Sequence, residues 1–167
     1  MKDALVLINE LKEKQLIKDY AIGGAIGVLK WVEPFFTRDL DIFIIPNKEY
    51  KKELINLTPL YEYLQGKGAS WKGRWLVIGG VPVDLIPVDP LEREAVENAE
   101  ETEYGGVKTK VLTAEYLIAL LLRAGRDKDK RKIEMLLGQA RIDKEKLHNL
   151  LQKYRLSKKY VKFQKRG

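Results

Sequence analysis

The sequence predicts an α/β (α+β) fold: a mixed β-sheet flanked by helices, followed by a C-terminal helical segment. Three observations predict it. Short apolar runs bounded by glycine or proline recur through the first two thirds of the chain, helix-spaced apolar residues precede them, and from Ala114 onward only helical periodicity remains. The expected division is residues 1–112 for the sheet domain and 113–167 for the helical segment packed on it.

Asp3 to Ile17 places Leu5, Ile8 and Leu11 at three- and four-residue spacing, which predicts an amphipathic helix. Tyr20-Ala21-Ile22 reads as a strand stopping at Gly23-Gly24, and Ala25 to Trp31 continues as a helix up to Pro34. Asp39-Leu40-Asp41-Ile42-Phe43-Ile44-Ile45, closed by Pro46-Asn47, reads as a strand buried on both faces. Lys48 to Leu57 is expected to be helical. Trp75 to Ile78 and Val81 to Ile86, joined by Gly79-Gly80, form a hairpin, with Pro82 directing its nitrogen away from a ladder partner. Leu91 to Glu101 is acidic and helix-compatible. Val107 to Val111 alternates like a half-exposed last strand, Thr113 caps the next helix, and three helices follow with breaks at Gly125 and Gly138.

Composition excludes several chemistries. There is no cysteine and a single histidine, His148, so disulfides, thiol catalysis and zinc sites of the Cys or multi-His kind are ruled out. No apolar run approaches the roughly 18 to 20 residues of a membrane span, and the expectation is a soluble, cytoplasmic protein without a membrane partner. Lys plus Arg number 31 against 24 Asp plus Glu, a surplus that suits phosphate-bearing partners and equally a solvated basic surface.

The informative residues are acids inside apolar strands. A buried carboxylate is costly unless it is paired or holds a cation. Asp39 and Asp41 are two positions apart, so in a strand they project from one face about 6 to 7 Å apart, while Leu40 and Ile42 turn to the core. Asp84 interrupts a second apolar strand, Val81 to Val88. Carboxylates are hard oxygen ligands suited to magnesium. The competing reading pairs Asp41 with Arg38 or a lysine at a sheet edge. Gly23-Gly24, between strand and helix, lets a backbone approach a phosphate, although a tight turn needs the same residues; Gly79-Gly80 serves as a control for that simpler explanation.

The runs Tyr20 to Ala25, Glu33-Pro34 and Thr37 to Ile44 together resemble the signature of nucleotidyltransferases of the DNA polymerase beta superfamily: a Gly-Gly turn, then Asp-x-Asp on the next strand. The likeness is greatest to small AbiEii-type proteins, some of them toxins of toxin-antitoxin systems, through Thr37 and through the segments Leu112 to Leu120 and Ala124 to Asp129. It spans roughly residues 18 to 137.

The resemblance implies transfer of a nucleoside monophosphate from an NTP to a hydroxyl of an RNA (such as a tRNA) or protein acceptor, with a cognate antitoxin as a further partner. It implies Asp39, Asp41 and Asp84 as catalytic carboxylates holding two Mg2+ ions, with Mn2+ as a substitute. Gly23, Gly24, Thr37 and Arg38 would serve the nucleotide. Phe35 stands where many relatives carry an arginine, and a catalytically inactive binding module is the alternative. Arg123, Arg126, Lys128 and Lys130 are candidates to close over the triphosphate, with Arg126 and Lys128 chosen as site residues; Asp127 and Asp129 beside them equally describe a solvated turn. Trp71 to Trp75 mixes rings with charge, fit for stacking a base or for ordinary strand packing. Lys158 to Arg166 reads first as a loose charged terminus and alternatively as a basic end that attracts a nucleic-acid acceptor such as a tRNA.

Overall fold

The computed structural model describes residues 1–47 and 56–166. Most of the expected Lys48 to Leu57 helix therefore lies outside the described residues. The first helix, α1 (Lys2–Glu13), buries Ala4, Leu5, Ile8 and Leu11. It ends four residues before the expected Ile17, because Gln15 turns the backbone to φ 58 and Ile17 opens strand β1 (Ile17–Gly23).

The glycine pair follows β1 as expected, but the helix after it, α2 (Gly24–Val28), is short. Its last bonds tighten to a three-residue reach, Lys30 to Gly27 and Trp31 to Val28. Strand β2 (Leu40–Pro46) carries Asp41, and Asp39 immediately precedes it. Helix α3 (Thr58–Gly66) and strand β3 (Ser70–Lys72) were not legible as elements. Strands β4 (Trp75–Ile78) and β5 (Val81–Pro87) form the expected hairpin, with Gly79 at φ 55 and Gly80 at φ 79 in its turn. The first β2 partner of β5 is Val83, so Pro82 lies beyond the end of that ladder.

The acidic stretch divides in two. Helix α4 (Pro90–Glu97) starts on a capping box in which Asp89 and Glu92 each satisfy the other's backbone N–H. Strand β6 (Glu100–Tyr104) then corrects the expectation of helix through Glu101. It pairs antiparallel with β7 (Val107–Val111) across Gly105-Gly106. Such an acid-rich edge strand discourages pairing with other chains.

The sheet order is β3-β4-β5-β2-β1-β7-β6. The central pairs alternate in sense: β5 and β2 run parallel, β2 and β1 antiparallel, β1 and β7 parallel. Side chains alternate accordingly. Leu40, Ile42 and Ile44 pack with Tyr20 and Ile22 under α1 and α3, whereas Phe43 and Ile45 pack with Ala21 on the opposite face.

That second face is covered by the tail: α5 (Ala114–Ala124), a 3-10 turn (Asp127–Asp129), α6 (Lys130–Gln139), α7 (Lys144–Lys153) and α8 (Ser157–Arg166). Four α-helices thus replace the expected three. Gly125, at φ 63, ends α5 as anticipated, but Gly138 lies inside α6, and Asp143 caps α7 instead through the Lys146 N–H. Thr113 occupies the N-cap position of α5 without a side-chain cap bond, and its buried Oγ1 finds no partner. The basic terminus is a helix whose Tyr160 and Phe163 pack on the core. No helix among the described residues is long and apolar enough to cross a membrane.

Candidate active site

Alternation along β2 decides where its acids face. Asp41 has the parity of Phe43 and Ile45, so its carboxylate projects to the side covered by α5, while Leu40 and Ile42 are fully buried on the other. On β5, Asp84 stands directly opposite Asp41, as Ile86 stands opposite Phe43. Partners in register share a face, and adjacent strands lie about 4.8 Å apart, so the two carboxylates emerge side by side.

On its other flank Asp41 pairs with Gly23 of β1. A Cβ at Gly24 would lie 1.9 Å from Asp41 Oδ2, and Gly24 sits at φ 58. A Cβ at Gly23 would lie 2.2 Å from Phe43 Cε2. Both glycines are therefore required, one by ring crowding and one by the carboxylate and the left-handed backbone together. The control pair differs: nothing lies within 4 Å of a Cβ at Gly80, and Gly79 meets only the exposed Asp3 side chain.

The cleft above these residues has a volume of about 390 Å³. Its floor is Gly24, Asp41 and Asp84, and α5 supplies Leu117, Leu121 and Arg123 as its wall. Arg123 is held by Asp89 Oδ2 at 2.6 Å and by Glu92 Oε1 at 2.7 Å, which ties α5 to the capping box of α4. Arg126, just past Gly125, donates through Nε to Asp129 Oδ2 at 2.6 Å; Asp129 is 1% exposed and also takes Lys132 at 3.0 Å.

Burial, reinforced by the charges of Asp84 and Asp39, pushes the Asp41 carboxyl up to about 6, with Arg126 and Lys128 acting in the opposite sense. No ion pair or hydrogen bond among the described residues engages the Asp41 side chain, which removes the salt-bridge reading for it. The desolvation argument made for all three acids holds for Asp41 alone. Asp39 and Asp84 are exposed, Asp39 just before β2 and Asp84 on the open side of the cleft. Among the described residues no three His, Cys, Asp or Glu side chains already form a cation cage. The donor set nonetheless fits a hard divalent cation: carboxylate oxygens in register on adjacent strands, their charge uncompensated by any ion pair among the described residues.

Neither a protein-family model nor a curated protein matches the sequence. Solved structures do match the architecture. ANT(2")-Ia in complex with adenylyl-2"-tobramycin superposes with a TM-score of 0.55 at 14% identity, over 92% of this chain and 97% of that one. An antigenic nucleotidyltransferase-like protein from Paracoccidioides brasiliensis superposes with a TM-score of 0.53 at 18% identity, over 93% and 88%. The fold is that of the nucleotidyltransferases.

On this nucleotidyltransferase fold the expected residues divide into three groups. Gly24, Asp41, Asp84 and Arg126 line one cleft, with Gly23 beneath it and the charges of Asp39 and Lys128 acting on Asp41. Thr37 is half-buried on the segment leading into β2. Arg38 is exposed, its guanidinium 5.3 Å from the ring of Phe36, while Phe35 packs into the core. Sequence reasoning missed Glu92 as a cleft residue, although Asp89-Pro90-Leu91-Glu92 carries the readable spacing of a capping box; Arg123, one of the four tail cations considered for the triphosphate, lines the cleft. It also missed Asp129 as the anchor of Arg126; nothing in a charge-rich turn marks which acid is buried.

Proposed function

We propose that this chain is a metal-dependent nucleotidyltransferase that moves a nucleoside monophosphate from an NTP to an acceptor hydroxyl. The observation that carries the reading is the Asp41–Asp84 register beside Gly24: two like-charged acids on one face, next to a backbone stripped of side chains. Asp41 and Asp84, joined by Asp39, would hold Mg2+ or Mn2+. When bound, such cations offset the negative charge of a transferring phosphoryl group and its leaving pyrophosphate.

The chain's own residues account for the rest. The bare backbone at Gly23 and Gly24 admits a phosphate close to Asp41. Arg126, fixed by Asp129, supplies a cation on the α5 side of the cleft, and Arg123 is clamped at its wall. Lys128 adds positive potential to the same space. Thr37 and Arg38 lie on the approach to β2 and serve the nucleotide if that segment closes over it. The acceptor is an RNA or a protein, and a role within a toxin-antitoxin pair accords with the AbiEii-like motifs.

The decisive experiment incubates purified protein with each α-labelled NTP, Mg2+, and in turn total RNA, cell extract and tobramycin, the last because ANT(2")-Ia was solved with its adenylylated form. Label retained on one acceptor with release of pyrophosphate supports the reading. Binding of Mg-NTP without any labelled product favours the second reading, an inactive nucleotide-binding module. One observation supports that second reading: Phe35 is packed in the core and Arg38 lies over Phe36, so neither supplies an arginine in the cleft.

A further inference from the structure

A second cleft, of about 360 Å³, lies between α5, α6 and α8 and shares Leu121 and Arg126 with the catalytic one. Arg126, Lys130, Lys159, Lys162 and Arg166 line it against a single acid, Glu134. Three of these cations are already engaged: Arg126 by Asp129, Lys130 by Asp127 at 2.6 Å, and Lys159 by the Arg123 carbonyl at 3.1 Å. Lys162 and Arg166 are exposed, and no ion pair engages them among the described residues. Helix α8 contains no acid at all, and the cations it turns to this cleft, Lys159, Lys162 and Arg166, recur about once per turn.

We infer that this cleft is the binding groove for the strand of a nucleic-acid acceptor, a single-stranded RNA whose end enters the catalytic cleft past Arg126. The inference rests on the transferase reading above. Cations one helical turn, about 5.4 Å, apart match a ligand with a regularly repeated negative charge. The floor decides between ligands of that kind. Leu121, Leu122, Ile133 and Phe163 offer apolar surface between the cations, which suits a strand that alternates phosphates with flat bases. An acidic peptide would satisfy the cations alone.

The test compares the wild type, Lys162→Glu with Arg166→Glu, and a control of equal charge change on the far side of the sheet, Lys14→Glu with Lys18→Glu. Both target side chains are exposed, so the variants retain the fold. Binding of a fluorescent single-stranded RNA is followed by anisotropy against salt, beside Mg-NTP binding by calorimetry. Loss of two phosphate contacts lowers the slope of log K against log salt by about 1.4 and weakens binding by about tenfold or more. The expected result is that loss in the α8 variant alone, with Mg-NTP binding unchanged.

Equal RNA affinity in the α8 variant and the control overturns the inference. So does poly-glutamate of matched charge binding the wild type as tightly as RNA, since that assigns the groove to acidic protein. If wild-type protein transfers no label to any acceptor yet the α8 variant alone loses RNA, the transferase reading fails while the groove assignment stands.

Discussion

Asp41 and Asp84 face each other across the parallel β2–β5 ladder, and among the described residues no ion pair neutralises either of them. Two like charges on neighbouring strands destabilise a sheet. Here they are placed where the antiparallel neighbour β1 contributes only Gly23, so the carboxylates border an open space instead of a packed layer. The fold thereby concentrates negative charge at the one point where the backbone is bare and Arg126 stands opposite.

The raised Asp41 pKa has a definite consequence for stability. An acid whose folded value, about 6, exceeds its ordinary 3.8 favours the folded state while protonated, and that contribution fades as pH rises from near 4 through about 6. Without divalent cations, Asp41→Asn should therefore be more stable than wild type at pH 7.5, by roughly 1 to 3 kcal/mol, with the difference vanishing below pH 4. Urea denaturation in EDTA across this range checks it. Wild-type and variant curves that stay parallel with pH would show that Asp41 is not held desolvated among like charges.

Adding Mg2+ should reverse the ranking. A cation bound only by the folded state contributes about 2.7 kcal/mol at a hundred times its Kd, which is roughly 5 to 10 °C in Tm for a chain of this size. The gain is expected for wild type and is lost in Asp41→Asn and Asp84→Asn. Thermal scans at graded Mg2+ read it directly, and an equal gain in all three proteins would place the cation elsewhere.

The sheet's centre was legible because its signals are local: alternation along β2, the hairpin glycines after β4, and Gly23-Gly24 at the end of β1. What escaped depended on partners distant in sequence. β6 is a strand of three glutamates, a threonine and a tyrosine whose partner, β7, and not its own composition, decides its conformation. Terminal position and dense positive charge read as a loose end at α8, yet Tyr160 and Phe163 at three-residue spacing anchor it to the core. Asp39 and Asp84 were expected to be buried within apolar strands; their exposure depends on what packs over the sheet at that point, which no single strand records.

Gly24 and Gly80 both have positive φ, yet they should respond differently to alanine. At Gly80 nothing lies within 4 Å of the new methyl, so Gly80→Ala carries only the backbone penalty of about 1 to 2 kcal/mol and leaves transfer intact. At Gly24 the methyl collides with the Asp41 carboxylate, which must leave its position between Gly24 and Asp84. A displacement near 1 Å there predicts about a hundredfold loss of label transfer. Assays at equal folded fraction separate the two, and similar activity losses in both would reduce Gly24 to a turn residue.

Asp129 reaches the site only through Arg126. Its carboxylate is buried under the turn after α5, where it fixes Arg126 Nε at 2.6 Å and Lys132 at 3.0 Å. Asp129→Ala releases Arg126, which is more than half exposed and rehydrates, and Lys132, which at 19% exposure rehydrates less fully, so the loss of stability should be moderate, roughly 1 to 3 kcal/mol. The larger effect falls on NTP affinity: an unanchored Arg126 sweeps many rotamers and must be reordered each time a phosphate binds. Weaker Mg-NTP binding by calorimetry, in a variant that still binds Mg2+ like wild type, is the expected outcome. Asp129→Glu, which keeps the charge but not the reach, should recover part of it. If Asp129→Ala binds Mg-NTP normally, Arg126 faces the triphosphate no more than any exposed arginine does, and the cation on the α5 side must come from Arg123 or Lys128.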